Sequence, residues 1–338
     1  RPHGASLMLG IFWVRRLGML FWLGSLVPLA AAQDTLPADH PYSALVQIQN
    51  AARTLDYSGI TVYQQGRSLQ AALLVHWVDG SGERERFETL DGLPRECLRE
   101  NRKEQCLYPD QRLVIRRTVG PDHFPALLQA DPGLIAQHYE WRPALGTYRV
   151  AGRDCMVSEL AARDTLRYSY RLCTDLENHL LLKTQTFDEH GHLIDQMAFS
   201  RLKLSPDVGP ADMASRYDAK DWAVREENSR SVDLLGEGWR FALPPGFRPQ
   251  AEITYQVGPE QAVNQLVISD GLAAISIFIE TFDAQRDQNL QEGSLRQGAI
   301  NIYRTRLAAY WLTAMGEVPA QTVHDVVHAA QYTPGTAR

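Results

Sequence analysis

Between Asp56 and Tyr108 apolar and polar residues alternate with a period of two, the mark of a strand whose side chains take opposite faces in turn. Leu69, Ala71, Leu73, Val75 and Trp77 fall on one side of such a strand. Turn-forming residues break the alternation at Gln65-Gly66, Asp79-Gly80-Ser81-Gly82 and Asp91-Gly92. Strands joined by turns this short pair antiparallel with their neighbours. The stretch therefore predicts a meander, one broad curved sheet with an apolar face to cover.

Upstream, Asp39-His40-Pro41 reads as a helix start, with Asp39 as cap and proline in the first turn. Leu45, Ile48, Ala52 and Leu55 then share one helical face, a stripe that must lie on the sheet. From Gly120 to Pro143 the pattern changes. Prolines at 121, 125, 132 and 143 interrupt an apolar segment that holds Phe124, Leu127, Leu128, Leu134, Ile135, Tyr139 and Trp141. Such a segment reads as short helices and loops lying across a sheet. Strands resume from Gly146 to Leu204, and in one of them Leu166, Tyr168, Tyr170 and Leu172 share a face.

Pro206, Gly209 and Pro210, then the charged run DAKDWAVREENSR around Trp222, mark a linker over 206–231. Beyond it come a hairpin with Asp270-Gly271 at its bend, two strands within 298–313, and a closing helix over 320–331 with Val323, Val326 and Val327 inward. The expected fold class is α+β. A large antiparallel curved sheet, an open half-barrel with packing helices, occupies 39–205, and a smaller α+β domain occupies 232–332.

The ends and the charge sharpen this picture. Arg15-Arg16, the apolar run Leu17 to Leu29 and the small residues Ala30-Ala31-Ala32 have the order of a cleavable export signal over 1–32. The run is 13 residues long, short of the roughly 20 that a membrane-spanning helix needs. Residues 1–32 hold three arginines and no acids, so their removal takes the net charge from −6 to −9. An acidic total argues against nucleic acid as the partner.

The four cysteines sit symmetrically about turns. Cys97 and Cys106 flank Glu100 to Lys103, while Cys155 and Cys173 flank Ala162 to Thr165. Facing positions of a hairpin come close enough for a disulfide, and an oxidising compartment lets it persist. Bridges Cys97–Cys106 and Cys155–Cys173 are expected. Free buried thiols are the competing reading, weightier for the second pair, because connectivity is not written in a sequence.

Catalytic signatures are missing from the chain. It holds no G-x-S-x-G nucleophile elbow and no phosphate-binding glycine loop. His324 and His328 have the spacing of helical zinc ligands, but Asp325 stands where a longer glutamate is usual, and no third ligand is evident. Asp188-Glu189-His190-Gly191-His192 reads as ordinary turn chemistry. No metal, no cofactor and no enzymatic activity is expected. Two features point to binding instead. Tyr63, Trp77, Tyr139, Trp141, Tyr168 and Tyr170 form an aromatic set suited to line a hollow for an acyl chain, with plain core as its rival. Arg112, Arg116, Arg117, Arg149, Arg153, Arg163, Arg167 and Arg171 crowd the strands; interspersed acids make a solvated surface the commoner reading.

The segments DYSGITVYQQG, VDGSGERERFETLDGLPREC, YRVAGRDC and RYSYRL resemble the amino-terminal domain of the MucB/RseB family, and GWRFALPPGF, SDGLAAISIFIE, RQGAINIYRTR and TAMGEVPAQTV its carboxy-terminal domain. The resemblance implies a periplasmic negative regulator of an envelope-stress sigma factor. Such a protein binds the periplasmic part of a membrane anti-sigma factor of the MucA/RseA type and hinders its proteolysis. It also implies a first domain similar to the lipoprotein carriers LolA and LolB, and a response to lipid or lipopolysaccharide fragments. A periplasmic carrier of lipid or lipoprotein is the alternative, and a homodimer is left open. The chain departs from the family pattern after RYSYRL, where Cys173 and Leu181 replace an aromatic residue and a proline.

Overall fold

The computed structural model describes residues 42–119, 132–205, 207–257 and 261–334. The export segment at 1–32, the helix start at 39–41 and the apolar residues 124–128 lie outside the described residues. Helix α1 (Ser43–Thr54) buries Leu45, Ile48, Ala51 and Ala52, and Leu55 is the extended residue at which it stops. The meander follows as β1 (Tyr57–Gln65), β2 (Ser68–Asp79), β3 (Gly82–Thr89), β4 (Glu96–Glu100), β5 (Lys103–Tyr108) and β6 (Leu113–Thr118), each antiparallel to the one before. Helix α2 (Pro132–His138) then leads into β7 (Tyr139–Val150), β8 (Arg153–Ala162), β9 (Ser169–Asp175), β10 (Leu181–Phe187) and β11 (Leu193–Leu204).

Strand β11 returns to β1, and β12 (Ala223–Glu227) adds to β6. The result is one twelve-stranded curved sheet in the order β12-β6-β5-β4-β3-β2-β1-β11-β10-β9-β8-β7. All its pairings are antiparallel except that of β12 with β6. The expected linker is therefore laid down as strand: β12 extends the first sheet, and after Asn228 β13 (Ser229–Ser231) opens the second.

The second sheet runs β13-β15-β16-β17-β20-β19-β18. Its further members are β15 (Arg248–Gln256), β16 (Ala262–Ser269), β17 (Ala274–Thr281), β18 (Gly293–Gln297), β19 (Ile300–Leu307) and β20 (Tyr310–Gly316). Helix α3 (Ala320–His328) closes it, with Val323, Val326 and Val327 in one core with Ile275, Ile277 and Ile279. Burying each such side chain contributes about 1.5–3 kcal/mol. A short pair, β14 (Trp239–Arg240) with β21 (Gln331–Tyr332), seals the end of this domain, and Trp239 packs on Tyr332 with ring centres 4.4 Å apart.

Three details differ from the sequence pattern. Strand β2 buries Ala72, Leu74 and His76, and of the alternate set only Val75 is buried, while Leu69 is 59% exposed. Both sets are largely apolar, so alternation alone could not choose; the register places Leu74 and His76 beside Gly59 and Tyr57, on the face that closes. Next, Pro143 does not stop β7. Register slips between Arg142 and Gly146, with Ala144 at φ 55°, and this bulge on an edge strand accommodates a residue that has no N–H to donate.

The third concerns the disulfides, both of which are present. Cys97 and Cys106 are direct partners across β4 and β5. Cys155 instead faces Asp175, and Cys173 faces Val157, so the second bridge is diagonal, with its α-carbons 5.4 Å apart. The β8–β9 connection is centred later in the chain than the midpoint of the two cysteines, which shifts the register.

Candidate functional site

The aromatic set does not line one open hollow. Tyr139, Tyr168 and Tyr170 are buried, with Trp141 packed beside them, in a cluster that also takes Leu45, Ile48 and Ile135 from the helices and Leu272 and Ala299 from the second domain. Tyr63 donates a hydrogen bond to Asp195 Oδ2 at 2.7 Å. Trp77 stands apart on β2 under the Arg84 guanidinium, 5.1 Å from its ring centre. The structure thus brings four of the six together, at the junction of the two domains.

Polar groups fix that junction. The Arg167 side chain, fully buried, donates from Nη1 to Asp270 Oδ2 at 2.5 Å, from Nε to Asp164 Oδ1 at 2.9 Å and from Nη2 to the Pro245 carbonyl at 2.6 Å. Tyr139 adds its hydroxyl to the same Asp270 oxygen at 3.0 Å. The other carboxylate oxygen of Asp270 accepts the backbone N–H groups of Leu272 and Ala273, which holds the β16–β17 bend in shape. Asn301 donates to the Tyr168 hydroxyl at 2.9 Å, and Thr322 donates to the Leu166 carbonyl at 3.0 Å. A buried charge is tolerated only when paired and hydrogen-bonded, and here each domain supplies what the other lacks.

The electrostatics follow. Burial works against the Arg167 charge, but the Asp164 and Asp270 carboxylates outweigh it and hold its pKa above the ordinary arginine value. Burial, reinforced by the Asp270 charge, pushes the Tyr139 phenol well above its usual range, so it remains a donor. His138 at the end of α2 is pushed down, first by burial and then by the Arg167 charge. Its ring lies against Gly246, which sits at φ 86°; any side chain there would meet the imidazole.

A second set of buried charges holds the strap that joins the domains. On β3 and β4, Arg86 donates from Nε to Glu96 Oε1 and from Nη2 to Glu88 Oε2, both at 2.9 Å, and from Nη1 to the Asp212 carbonyl at 3.0 Å. Glu96 in turn accepts the Arg216 backbone N–H at 3.1 Å and the Ser215 hydroxyl, while the Arg216 guanidinium pairs with Glu88. Asp212 to Arg216 are thereby pinned to the first sheet before β12 begins.

The remaining candidates lie elsewhere. Arg116 pairs with Glu226 and Arg171 with Glu159 at the surface, the solvated pattern expected of strand arginines. Arg153 instead pairs with the buried Asp175, and Arg167 is itself buried, so for these two the expectation does not hold. His324 Nδ1 lies 2.9 Å from Asp325 Oδ1, and its ring stacks on His328 with centres 5.0 Å apart. Asp188 accepts the backbone N–H groups of His190 and His192. Among the described residues no group of three or more His, Cys, Asp or Glu is placed to hold a metal ion. Sequence reasoning missed Asp270, because an Asp-Gly bend signals a solvated turn and nothing in it says that the carboxylate faces inward.

Known proteins resemble this chain over most of its length. The family model described as the MucB/RseB N-terminal domain matches residues 40–217, and the MucB/RseB C-terminal domain model matches 234–331. The sigma factor AlgU regulatory protein MucB of Pseudomonas aeruginosa is 28% identical over 321 residues, 93% of this chain and 96% of its own. The sigma-E factor regulatory protein RseB of Haemophilus influenzae is 26% identical over 247 residues, 72% of this chain and 76% of its own. Among solved structures, MucB in complex with MucA(peri) superposes with a TM-score of 0.67 at 26% identity, over 88% of this chain and 100% of that one.

Proposed function

The chain belongs to the MucB/RseB family, and from that premise we propose that it is a periplasmic negative regulator of an envelope-stress sigma factor. It acts by binding the periplasmic part of a MucA/RseA-type anti-sigma factor and hindering the proteolysis of that factor. The likeness to a MucB solved in complex with MucA(peri) over nearly the whole of both chains carries this reading. A regulator of this kind needs a fixed surface and no reaction chemistry. Residues 1–32 act as the cleavable export signal, and two disulfides suit an oxidising compartment. The units at 39–205 and 232–332 work as one binding body, with 206–231 as a strap between them.

Lipid or a lipopolysaccharide fragment serves as the release signal. A ligand shifts an equilibrium only by binding one state better than another. Tyr139, Tyr168 and Tyr170 are enclosed at the junction, so an acyl chain that reaches them also favours parted domains. Trp222, packed 6.0 Å from Tyr217 in the strap, reports that motion by its fluorescence.

The test mixes the purified protein with the periplasmic part of the cognate anti-sigma factor and follows binding by calorimetry. A dissociation constant below about 10 µM is expected, together with slower cleavage of the bound segment by a periplasmic protease. No complex at several times that concentration sinks the reading. Lipid micelles added to the complex should release the partner, and release without any change in Trp222 emission would separate lipid action from domain motion. Sedimentation of the free protein decides whether a homodimer forms.

A further inference from the structure

On the large sheet a cavity of about 320 Å³ opens between Tyr148, Val157, Arg171, Cys173, Lys183 and Gln185. The register explains why these meet. Lys183 and Val157 are the two cross-strand partners of Cys173, and Tyr148 is the partner of Cys155; partners in register project to the same face. The Lys183 ammonium lies 5.6 Å from the centre of the Tyr148 ring. Lys183 on β10 and Tyr148 on β7 thus flank the two strands that the Cys155–Cys173 bond joins. Arg171 is held by Glu159 at 3.1 Å and lies over the Phe187 ring, whereas Lys183 touches an aromatic face rather than a carboxylate. Tyr148 is 59% exposed, so the cover consists of long side chains at the surface.

We infer that this cavity is a thiol–disulfide exchange site for anionic low-molecular-weight thiols. Thiolates are the attacking species, and neighbouring cations favour them. The carboxylates of the small thiol are gripped by Lys183 and Arg171, and its sulfur attacks Cys173 Sγ, the sulfur whose residue lines the cavity. A bond forms between that sulfur and Cys173, the Cys155–Cys173 bond breaks, and its electron pair leaves on Cys155 Sγ, which takes up a proton. A second thiol attacks the small-molecule sulfur of the mixed disulfide. It releases a small disulfide and leaves Cys173 as a thiol. In total two thiols are oxidised and one protein disulfide is reduced. Both cysteines belong to a core with Tyr57, Leu180, Leu182 and Phe199, so the exchange also loosens that packing. The inference stands independently of partner binding.

The experiment treats the purified protein with reduced glutathione, an anionic thiol, or with cysteamine, a cationic one, at matched thiolate concentrations. Samples are quenched in acid and adducts located by peptide mass spectrometry. The first adduct should fall on Cys173, and glutathione should react about threefold to tenfold faster than cysteamine. High salt should erase that preference in the unaltered protein by screening the exposed cations. Lys183→Gln should bring the ratio towards one, and Lys183→Arg should preserve it. No adduct on Cys173, a first adduct on Cys97, Cys106 or Cys155, or a preference indifferent to both salt and Lys183→Gln overturns the inference.

Discussion

Two sets of buried charge fasten this molecule, and they are built on opposite plans. At the junction, one guanidinium from the first domain meets one carboxylate from the second, and the side chains of Arg167 and Asp270 are both fully enclosed. At the strap, Glu88 and Glu96 share Arg86 within the first sheet, and the strap adds backbone groups, a hydroxyl and an arginine whose side chain is 62% exposed. The enclosed pair has no water to replace a lost partner. The strap has water at one edge, so its contacts can be exchanged singly. The junction should therefore hold or fail as a unit, and the strap should loosen by degrees.

The harshest way to break that contrast is to remove one side of the junction. Arg167→Ala leaves Asp270 with an unpaired charge, at a cost of about 3–5 kcal/mol. Urea unfolding followed by tryptophan fluorescence should lose that much and split into two transitions as the domains uncouple. Replacing both members, Arg167→Met with Asp270→Asn, should recover part of the loss, because both charges go while the amide oxygen still accepts the Leu272 and Ala273 N–H groups. A single transition for Arg167→Ala, with a loss under about 1 kcal/mol, would mean that the junction does not fasten the halves.

At the strap the expected effect is smaller. Glu96→Gln keeps the shape of the side chain and removes the charge that Arg86, Ser215 and the Arg216 amide share. A loss of about 1–3 kcal/mol is expected. Hydrogen exchange should quicken over residues 212–227, while the Leu272 and Ala273 amides, which Asp270 holds, stay protected. Equal loss of protection at both places would show one fastening where two are described.

Much of this architecture was legible beforehand, because local signals carried it. Short turns set the meander, the valines of α3 set its buried face, and cysteines placed about turns marked both bridges, the first between facing positions and the second on a diagonal. What escaped depends on contacts distant in sequence. Arg167 and Asp270 are 103 residues apart, and each looks like a surface residue in its own window. The aromatic set was recognisable as apolar. Whether it lines a hollow or packs against Leu272 and Ala299 depends on where the second domain docks. The strap looked like a linker because its strand β12 is exposed along its whole length, and exposed strands lack the alternation that betrays buried ones.

The mildest way to sharpen the contrast is acid, since the junction holds a histidine and the strap network does not. His138 faces Arg167, Asp270, Asp164 and Arg248, and burial followed by the Arg167 charge lowers its pKa below the ordinary histidine value. Above about pH 6.5 the ring is neutral in both states, and its contribution to stability is fully present. As pH falls through that value the unfolded chain takes up a proton that the folded junction refuses, so stability declines until the folded pKa is reached. Asp175, which burial pushes up but its Arg153 pairing and the Glu177 and Asn178 amides together pull below the ordinary value, titrates in a more acid window and leaves this one clear. Between about pH 7.5 and 5.5 the unaltered protein should therefore lose more stability than His138→Gln, which cannot be protonated. The loss should appear first in the amides of Leu272 and Ala273 and leave the strap unchanged; parallel curves for the two proteins would remove the junction from any account of acid response.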